Sequence, residues 1–171
     1  MSVLLLGDSH LARFRPYRRL IARDCTVRAV GGASAAELLD QLGDLDPGGF
    51  DVVVVSVGTN DCGVKPAALP DFLDAIRRLV ERVAPTPVLM VGNPGADERA
   101  ADFDDEQMRK YAAEAGALVR SMGGSVVDIP SVIAPLGRAG RTADGVHVSK
   151  VGHVLLIPAL RRGVRRARRS P

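Results

Sequence analysis

The sequence predicts an α/β protein, a three-layer α/β/α sandwich with a mainly parallel sheet of five strands. Five short apolar runs alternate with longer amphipathic stretches, which is the order expected when helices connect parallel strands. The run at Val52–Val57 is continuous and rich in β-branched residues, as is typical of a central strand covered on both faces. Aromatic residues make up only 4% of the chain and Trp is absent. The core must therefore be aliphatic, which suits a sheet covered by helices.

The individual elements follow from this alternation. The predicted strands are Val3–Leu6, Thr26–Val30, Val52–Val57, Pro87–Val91 and Ser125–Ile129. The predicted helices are Leu11–Ala22, Ser34–Gln41, Pro70–Val83, Asp104–Met122 and one from Ser149 to about Arg166. Glu37 stands three residues after Ser34, which indicates a capping box. Residues 130–148 are expected to form a loop, and Pro158 should bend or split the last helix.

The charge is uneven along the chain. Its 171 residues predict a single domain over 1–171. Residues 161–171 contain six arginines and no acidic residue, so they are expected to form a basic C-terminal tail. A nucleic acid or a membrane surface could bind such a tail. A solvated helix end is favoured, and no nucleic-acid partner is expected, because no aromatic residue accompanies the arginines to stack on bases.

Nothing in the sequence resembles a targeting segment. The apolar start Met1–Leu6 is short and lacks a basic region before it, and no apolar stretch reaches the roughly 18 residues needed to cross a bilayer. These features predict no signal peptide, no membrane span and a cytoplasmic location. Cys25 and Cys62 are then expected to be free thiols. The oligomeric state is not predicted.

Polar segments follow the first three predicted strands, and a fourth lies in the loop after the fifth strand. These segments are Gly7–Asp8–Ser9, Gly31–Gly32, Gly58–Thr59–Asn60–Asp61 and Asp144–Gly145–Val146–His147. Because the carboxyl ends of parallel strands lie at one edge of a sheet, we expect the four segments to meet there.

These residues could together catalyse acyl transfer. Ser9, at a strand-to-helix turn, supplies a hydroxyl nucleophile, and His147 is a base suited to neutral pH. Asp144 precedes His147 by three residues, close enough to orient the imidazole. His10 and His153 have no acid at that spacing and are weaker candidates. The Asn60 side chain and the Gly32 amide could donate hydrogen bonds to an oxyanion, with Gly31 as the alternative to Gly32.

The four segments resemble the blocks of the SGNH hydrolases, also called the GDSL family. GDS at residues 7–9 resembles the nucleophile block, GTND at 58–61 the block with the oxyanion-hole Asn, and DGVH at 144–147 the block with the acid and base. The glycine block is the least distinct. All four occur in order, each after the expected strand, and together they cover most of the chain. His10 occupies the position at which Leu is common in the GDSL motif.

The resemblance implies a flavodoxin-like fold and the hydrolysis of esters or thioesters through a Ser9–His147–Asp144 triad and an acyl-enzyme. It also implies an oxyanion hole made by the Ser9 amide, the Gly32 amide and the Asn60 side chain, with no metal or cofactor. Residues that could line the substrate are Asp8, His10, Gly31 and Thr59.

Three alternatives remain open at this point. One is an acyltransferase with the same triad, the second is an inactive binding module of the same fold, and the third is a flavodoxin-like electron carrier. The loops at 92–103 and 130–143 contain no sign of a lipid tunnel, so a small or short-acyl ester substrate is expected.

Overall fold

The sheet has five strands, all parallel, in the spatial order β2-β1-β3-β4-β5. The structure is a computed structural model that describes residues 1–169. Its strands are Ser2–Gly7 (β1), Asp24–Val27 (β2), Val52–Ser56 (β3), Val88–Val91 (β4) and Ser125–Val127 (β5). This strand order is the flavodoxin-like one. The predicted fold class is therefore confirmed.

Helices cover both faces of the sheet. They are Ser9–Ala12 (α1), Arg18–Ile21 (α2), Leu38–Leu42 (α3), Leu69–Val83 (α4), Asp105–Ser121 (α5), Ile129–Ile133 (α6) and Lys150–Ala167 (α7). Helices α1, α2, α6 and α7 pack with Val3, Leu5 and other residues of one sheet face. Helices α3, α4 and α5 pack with Leu4, Leu6 and their neighbours on the other. The alternation along β1 follows from the two-residue repeat of a strand, and it divides the core into two layers.

The central strand β3 explains the β-branched run at Val52–Val57 in the sequence. Every residue of Val52–Ser56 is buried. Val53 and Val55 belong to the core under α4 and α5, whereas Val52 and Val54 belong to the core under α7. A strand covered on both sides needs apolar residues at consecutive positions, as the sequence predicted.

The predicted helix at Leu11–Ala22 is wrong as a single element. Helix α1 ends at Ala12, a 3-10 turn occupies Arg15–Tyr17, and α2 begins at Arg18. Pro16 has no N–H to donate to the Ala12 carbonyl and disfavours a helical conformation at the residue before it. The chain therefore breaks in the middle of an otherwise helical pattern.

The segment 130–148 is not entirely a loop. Asp128 ends β5 earlier than expected and caps α6, its side chain accepting a bond from the Ser131 amide at 3.1 Å. The 3-10 turns of Ala134–Gly140 follow. Helix α6 is barely more than one turn long, too short for apolar periodicity to reveal it.

Helix α7 continues through Pro158, so the expected split does not occur. The carbonyl that Pro158 cannot bond belongs to Val154, whose side chain is exposed, so water can reach that side of the helix. The arginine-rich segment belongs to α7 up to Ala167, while residues 170–171 of the predicted tail lie outside the described residues. Within residues 1–169 no helix is long and apolar enough to cross a membrane. The cytoplasmic location remains a prediction.

The capping box at the start of the second predicted helix is present. The Ser34 amide donates to Glu37 Oε2 at 2.8 Å. The helix begins with a 3-10 turn, Ala35–Glu37, and continues as α3.

Strand β2 begins two residues earlier than predicted, and Val30 is exposed beyond its end.

Candidate active site

Ser9 lies where β1 passes into α1 at the C-terminal edge of the sheet. Asp8 caps this helix, with its Oδ1 accepting a bond from the His10 amide at 2.9 Å. The Asp8 amide in turn donates to the Ser56 carbonyl of β3 at 2.9 Å. Gly7 has φ +124°, and a Cβ there would lie 1.9 Å from the Ser56 carbonyl oxygen, so glycine is needed at this position.

A side chain that the sequence did not single out also fixes this turn. Gln41 of α3 holds both backbone groups of Gly7, since its Oε1 accepts from the Gly7 amide at 2.6 Å and its Nε2 donates to the Gly7 carbonyl at 2.9 Å. The pairing joins residues 34 positions apart, so nothing in local sequence could have indicated it. It holds the backbone two residues before Ser9.

Three side chains form a continuous hydrogen-bonded chain at this edge. Ser9 Oγ lies 2.9 Å from His147 Nε2. His147 Nδ1 lies 2.7 Å from Asp144 Oδ2. The fold thus brings together a hydroxyl and an imidazole that are 138 residues apart in the sequence.

The other oxygen of Asp144 organises its own loop. Asp144 Oδ1 accepts bonds from the amides of Val146 and His147, both at 3.0 Å, and from Thr142 Oγ1 at 2.7 Å. Partial burial opposes ionisation of this carboxyl, but these bonds outweigh it and hold its pKa well below the ordinary value. Asp144 is therefore a carboxylate at neutral pH, fixed toward the imidazole.

The loop after β4 supports the Asp144 loop. The Asp97 amide donates to the Gly145 carbonyl at 3.1 Å, and the Arg141 guanidinium bonds the Pro94 carbonyl. A Cβ on Gly145 would lie 2.5 Å from Asp97 Oδ1, so the two loops are in close contact. Neither Asp97 nor Arg141 belongs to any sequence block that resembles a catalytic motif, and only the folded contact reveals their position.

Asn60 brings an amide group to the same edge. Its side chain is buried, and Nδ2 donates to the Ala33 carbonyl at 2.8 Å. An Asn Nδ2 has two hydrogens, so one is left to donate elsewhere. Asp61 holds the surrounding loops, its two oxygens accepting from the amides of Ala35 and Gly58, both at 2.9 Å.

Gly31 and Gly32, the two candidate glycine donors, differ in conformation. Gly32 has φ +79°, a region that favours glycine, and within residues 1–169 its amide donates no hydrogen bond. A Cβ on Gly32 would contact nothing within 4 Å, whereas a Cβ on Gly31 would lie 3.9 Å from Ser9 Cβ. Both glycines remain candidates for the oxyanion donor, and Gly31 is exposed next to the hydroxyl.

Three of the four predicted substrate-lining residues are buried. Asp8, His10 and Thr59 are at most 2% exposed, whereas Gly31 is exposed. Side chains at the sheet's edge can also point into the core, and lining roles for these three residues stay predictions. Burial lowers the pKa of His10 to about 3 and raises that of Asp8 to about 7.

The remaining histidine, His153, is a packed residue. His153 of α7 is buried, with Nδ1 2.8 Å from the Ser149 carbonyl and its ring 4.7 Å from that of Phe14.

Two surface grooves, of about 520 and 740 Å³, flank β5 and contain none of the predicted site residues.

The class of protein follows from this arrangement. A hydroxyl, an imidazole and a carboxylate bonded in that order, beside spare N–H donors, are the groups that serine hydrolases use. The sequence model of the GDSL-like Lipase/Acylhydrolase family matches residues 5–155, and the chain belongs to this family. It is therefore a hydrolase acting on ester bonds.

Solved structures share the fold across almost the whole chain. The lipase/acylhydrolase from Enterococcus faecalis has 20% identity and a TM-score of 0.82, with 97% of each chain covered. A GDSL-like lipase from Bacteroides thetaiotaomicron has 16% identity and a TM-score of 0.80, covering 97% of this chain and 88% of that one. A mutant acetyl-xylooligosaccharide esterase from Geobacillus Stearmophilus has 19% identity and a TM-score of 0.74, covering 95% and 93%. No curated protein sequence matches significantly.

Proposed function

We propose that the protein is a serine esterase in which Ser9 is the nucleophile, His147 the general base and Asp144 the group that orients the base. Ser9 Oγ attacks the acyl carbonyl while His147 Nε2 takes the hydroxyl proton. The observation that supports these roles is the chain of contacts of 2.9 and 2.7 Å from Ser9 through His147 to Asp144. Asp144 accepts a hydrogen bond from His147 Nδ1, which leaves His147 Nε2 free to act as the base.

Three N–H groups are suited to stabilise the oxyanion. The Ser9 amide is in the first turn of α1, where an amide has no helical acceptor. The Gly32 amide and the second N–H of Asn60 are the other two. Donors fixed by the fold toward a developing charge are among the strongest contributions to catalysis.

The reaction then runs in two halves. His147 returns the proton to the departing alcohol as the tetrahedral intermediate collapses, which leaves an acyl group on Ser9. Water attacks this ester, with His147 again taking a proton, and the carboxylic acid leaves as Ser9 Oγ regains its hydrogen. The products are one alcohol and one acid, and the scheme uses no metal or cofactor.

We infer that the substrate is small or carries a short acyl chain. Ser9 and His147 are half-buried, Asp144 is exposed, and Gly31 is exposed at the side of the hydroxyl. The loop after β4 packs against the Asp144 loop through Asp97 and Gly145. Activity against p-nitrophenyl esters from acetyl to palmitoyl tests this inference, and a maximum at long chains contradicts it.

The triad itself is tested by labelling and turnover. Wild-type protein should hydrolyse p-nitrophenyl acetate and react with a fluorophosphonate, and Ser9→Ala should lose both properties. Ser121→Ala, at the end of α5 and remote from the site, is the matched control and should keep both. Retention of both by Ser9→Ala excludes this assignment. Product analysis with and without an added alcohol acceptor separates hydrolysis from acyl transfer.

A further inference from the structure

The charge of the molecule is concentrated on one of its helical layers. Residues 9–28, which run from α1 to β2, and residues 149–169, which contain α7, together form what we call the basic face. They hold thirteen of the chain's 23 lysines and arginines and one of its 20 acidic residues, Asp24. The thirteen cations are all exposed: Arg13, Arg15, Arg18, Arg19, Arg23, Arg28, Lys150, Arg161, Arg162, Arg165, Arg166, Arg168 and Arg169.

The fold brings the two segments together. Helices α2 and α7 contact each other and cover the same face of the sheet, so arginines distant in sequence belong to one surface. The opposite layer has no such imbalance, since helices α3, α4 and α5 carry seven acidic and six basic residues. Arg168 pairs with Asp51, which lies outside the basic face, at 3.2 Å. Within the basic face the thirteen cations far outnumber the one acidic residue, Asp24. Like charges at this density repel one another unless an anionic partner is bound.

Exposed aliphatic side chains accompany the cations. Leu20 of α2 and Val151 and Val154 of α7 are 52, 55 and 65% exposed. No exposed aromatic ring lies on the basic face, so the stacking surface that single-stranded nucleic acids use is missing from this part of the described chain. Arginines together with exposed aliphatic residues are the combination that binds the phosphates and outer acyl region of a bilayer.

We propose that the basic face docks the enzyme on anionic phospholipid bilayers. Ser9 is the first residue of α1, and Ser149, which caps α7, is two residues after His147, so the candidate active site lies at the rim of the docked surface. The docking is peripheral, and it goes beyond the ester chemistry proposed above without depending on it. The sequence alone indicated a solvated helix end because the arginines of residues 13–28 join those of α7 only in the folded layer.

Vesicle co-sedimentation tests the proposal. Wild-type protein should bind vesicles of phosphatidylcholine and phosphatidylglycerol at 3:1, and should not bind phosphatidylcholine alone. Binding should disappear at about 0.5 M salt because screening is then strong. Equal binding to both vesicles, or binding to neither at low salt, overturns the proposal.

Two charge-reversal variants locate the surface. The triple variant Arg19→Glu, Arg161→Glu and Arg165→Glu should weaken vesicle binding by at least about tenfold, since each cation near an anionic membrane contributes to binding. The control variant Arg77→Glu, Arg82→Glu and Lys110→Glu makes the same change in net charge on the opposite layer and should bind almost as wild type does. Equal losses in the two variants overturn the assignment to this face.

Four further measurements test the aliphatic residues and distinguish docking from misfolding, from catalysis and from nucleic-acid binding. Both triple variants should keep wild-type turnover of p-nitrophenyl acetate, which shows that they are folded. Leu20→Ser with Val154→Ser should weaken vesicle binding without changing the charge of the basic face, and no effect contradicts the role of the aliphatic residues. Ser9→Ala should bind vesicles as wild type does, so failure of the catalytic assignment is distinguishable from failure of docking. Preference for a DNA duplex over the vesicles overturns the membrane assignment.

Discussion

The ring of His10 packs against that of His147 with centroids 5.4 Å apart, and within residues 1–169 neither nitrogen of His10 has a hydrogen-bond partner. On the other side of Ser9, Asp8 is equally buried, and its Oδ2 also lacks a partner there. Both neighbours of the candidate nucleophile are thus titratable groups whose neutral forms burial favours. His10 should therefore lower the stability of the fold as the pH falls, whereas Asp8 should lower it as the pH rises.

His10→Leu should make the protein more resistant to acid. Burial lowers the pKa of His10 to about 3, whereas an unfolded His titrates near 6.5. Above pH 6.5 both states are neutral, and as pH falls from 6.5 toward 3 the unfolded state gains a proton that the folded state does not bind. The free energy of unfolding of wild type therefore falls by up to about 1.4 kcal/mol per pH unit in this window. His10→Leu removes this pH dependence because Leu does not titrate.

The measurement is the free energy of unfolding in urea at pH 5 and pH 8. The advantage of His10→Leu over wild type should be larger at pH 5 by about 2 kcal/mol. An advantage independent of pH would show that His10 does not titrate as described. Turnover of p-nitrophenyl acetate should persist, because Ser9, His147 and Asp144 are unchanged.

Asp8→Asn should have the opposite pH dependence. Burial raises the pKa of Asp8 to about 7, against about 3.9 in an unfolded chain. Below pH 3.9 both states are protonated, and as pH rises from 3.9 to 7 the unfolded state releases its proton first. The free energy of unfolding of wild type therefore falls by about 4 kcal/mol across this window.

An Asn at position 8 stays neutral and keeps an oxygen to accept the His10 amide bond, which is 2.9 Å long. Asp8→Asn should consequently be more stable than wild type at pH 8, with little difference near pH 4. Urea unfolding at both pH values measures this. Asp24→Asn, at an exposed residue, is the control and should show no such difference.

The sequence was most informative where chemistry and topology coincide. Three of the four polar segments come at or soon after the end of a strand, and the fourth, at 144–147, lies between β5 and α7 after helix α6. The rule that parallel strands end at one edge therefore predicted that Ser9 and His147 meet, although it did not predict α6. The wrong expectation at Leu11–Ala22 has a local cause, because Pro16 interrupts a pattern whose apolar spacing is otherwise helical. Helix α6 was missed because one turn is too short to show a period.

Contacts between distant side chains and backbone could not be predicted in the same way. Gln41 bonds both groups of Gly7, and Arg141 bonds Pro94, although neither pair has a sequence signature. Whether the His10 side chain points to the substrate or into the core is likewise decided by tertiary packing, such as the contact of its ring with that of His147. A residue's place at the edge of the sheet follows from the strand order, but its burial does not.

Substitutions at the two glycines beside Ser9 should separate their roles. Gly32→Ala places a side chain at φ +79°, which should destabilise the fold by about 1–2 kcal/mol even though space is available. Gly31→Ala has no such strain, and its Cβ would lie 3.9 Å from Ser9 Cβ. It should leave the melting temperature unchanged and narrow the approach to the hydroxyl.

The expected result for Gly31→Ala is a fall in kcat/KM that is larger for butyrate than for acetate esters. Gly32→Ala should lower kcat on both esters alike, because a displaced amide weakens oxyanion binding whatever the acyl chain. Thermal unfolding and kinetics on the two p-nitrophenyl esters measure both effects. A chain-length effect at Gly32 and none at Gly31 would reverse the assignment.

Asp144→Asn should reduce kcat by about 10³–10⁴-fold with little change in KM. An amide can still accept bonds from the Val146 and His147 amides through its oxygen, so the loop should be retained. Its NH₂ group then faces His147 Nδ1, which forces the proton onto Nε2 and prevents that nitrogen from accepting the Ser9 proton. The side chain is 48% exposed, so the loss should be kinetic, with the melting temperature close to that of wild type.

Thr142→Val is the matched control for Asp144→Asn. It removes the hydroxyl bond of 2.7 Å to Asp144 Oδ1 but leaves the carboxylate and its two amide donors. Its kcat should fall by no more than about tenfold, since one supporting hydrogen bond is worth about 1 kcal/mol. Single-turnover kinetics with p-nitrophenyl acetate compare the acylation rates directly. If Asp144→Asn acylates as fast as Thr142→Val, the carboxylate does not orient His147, and the proposed triad loses its third member.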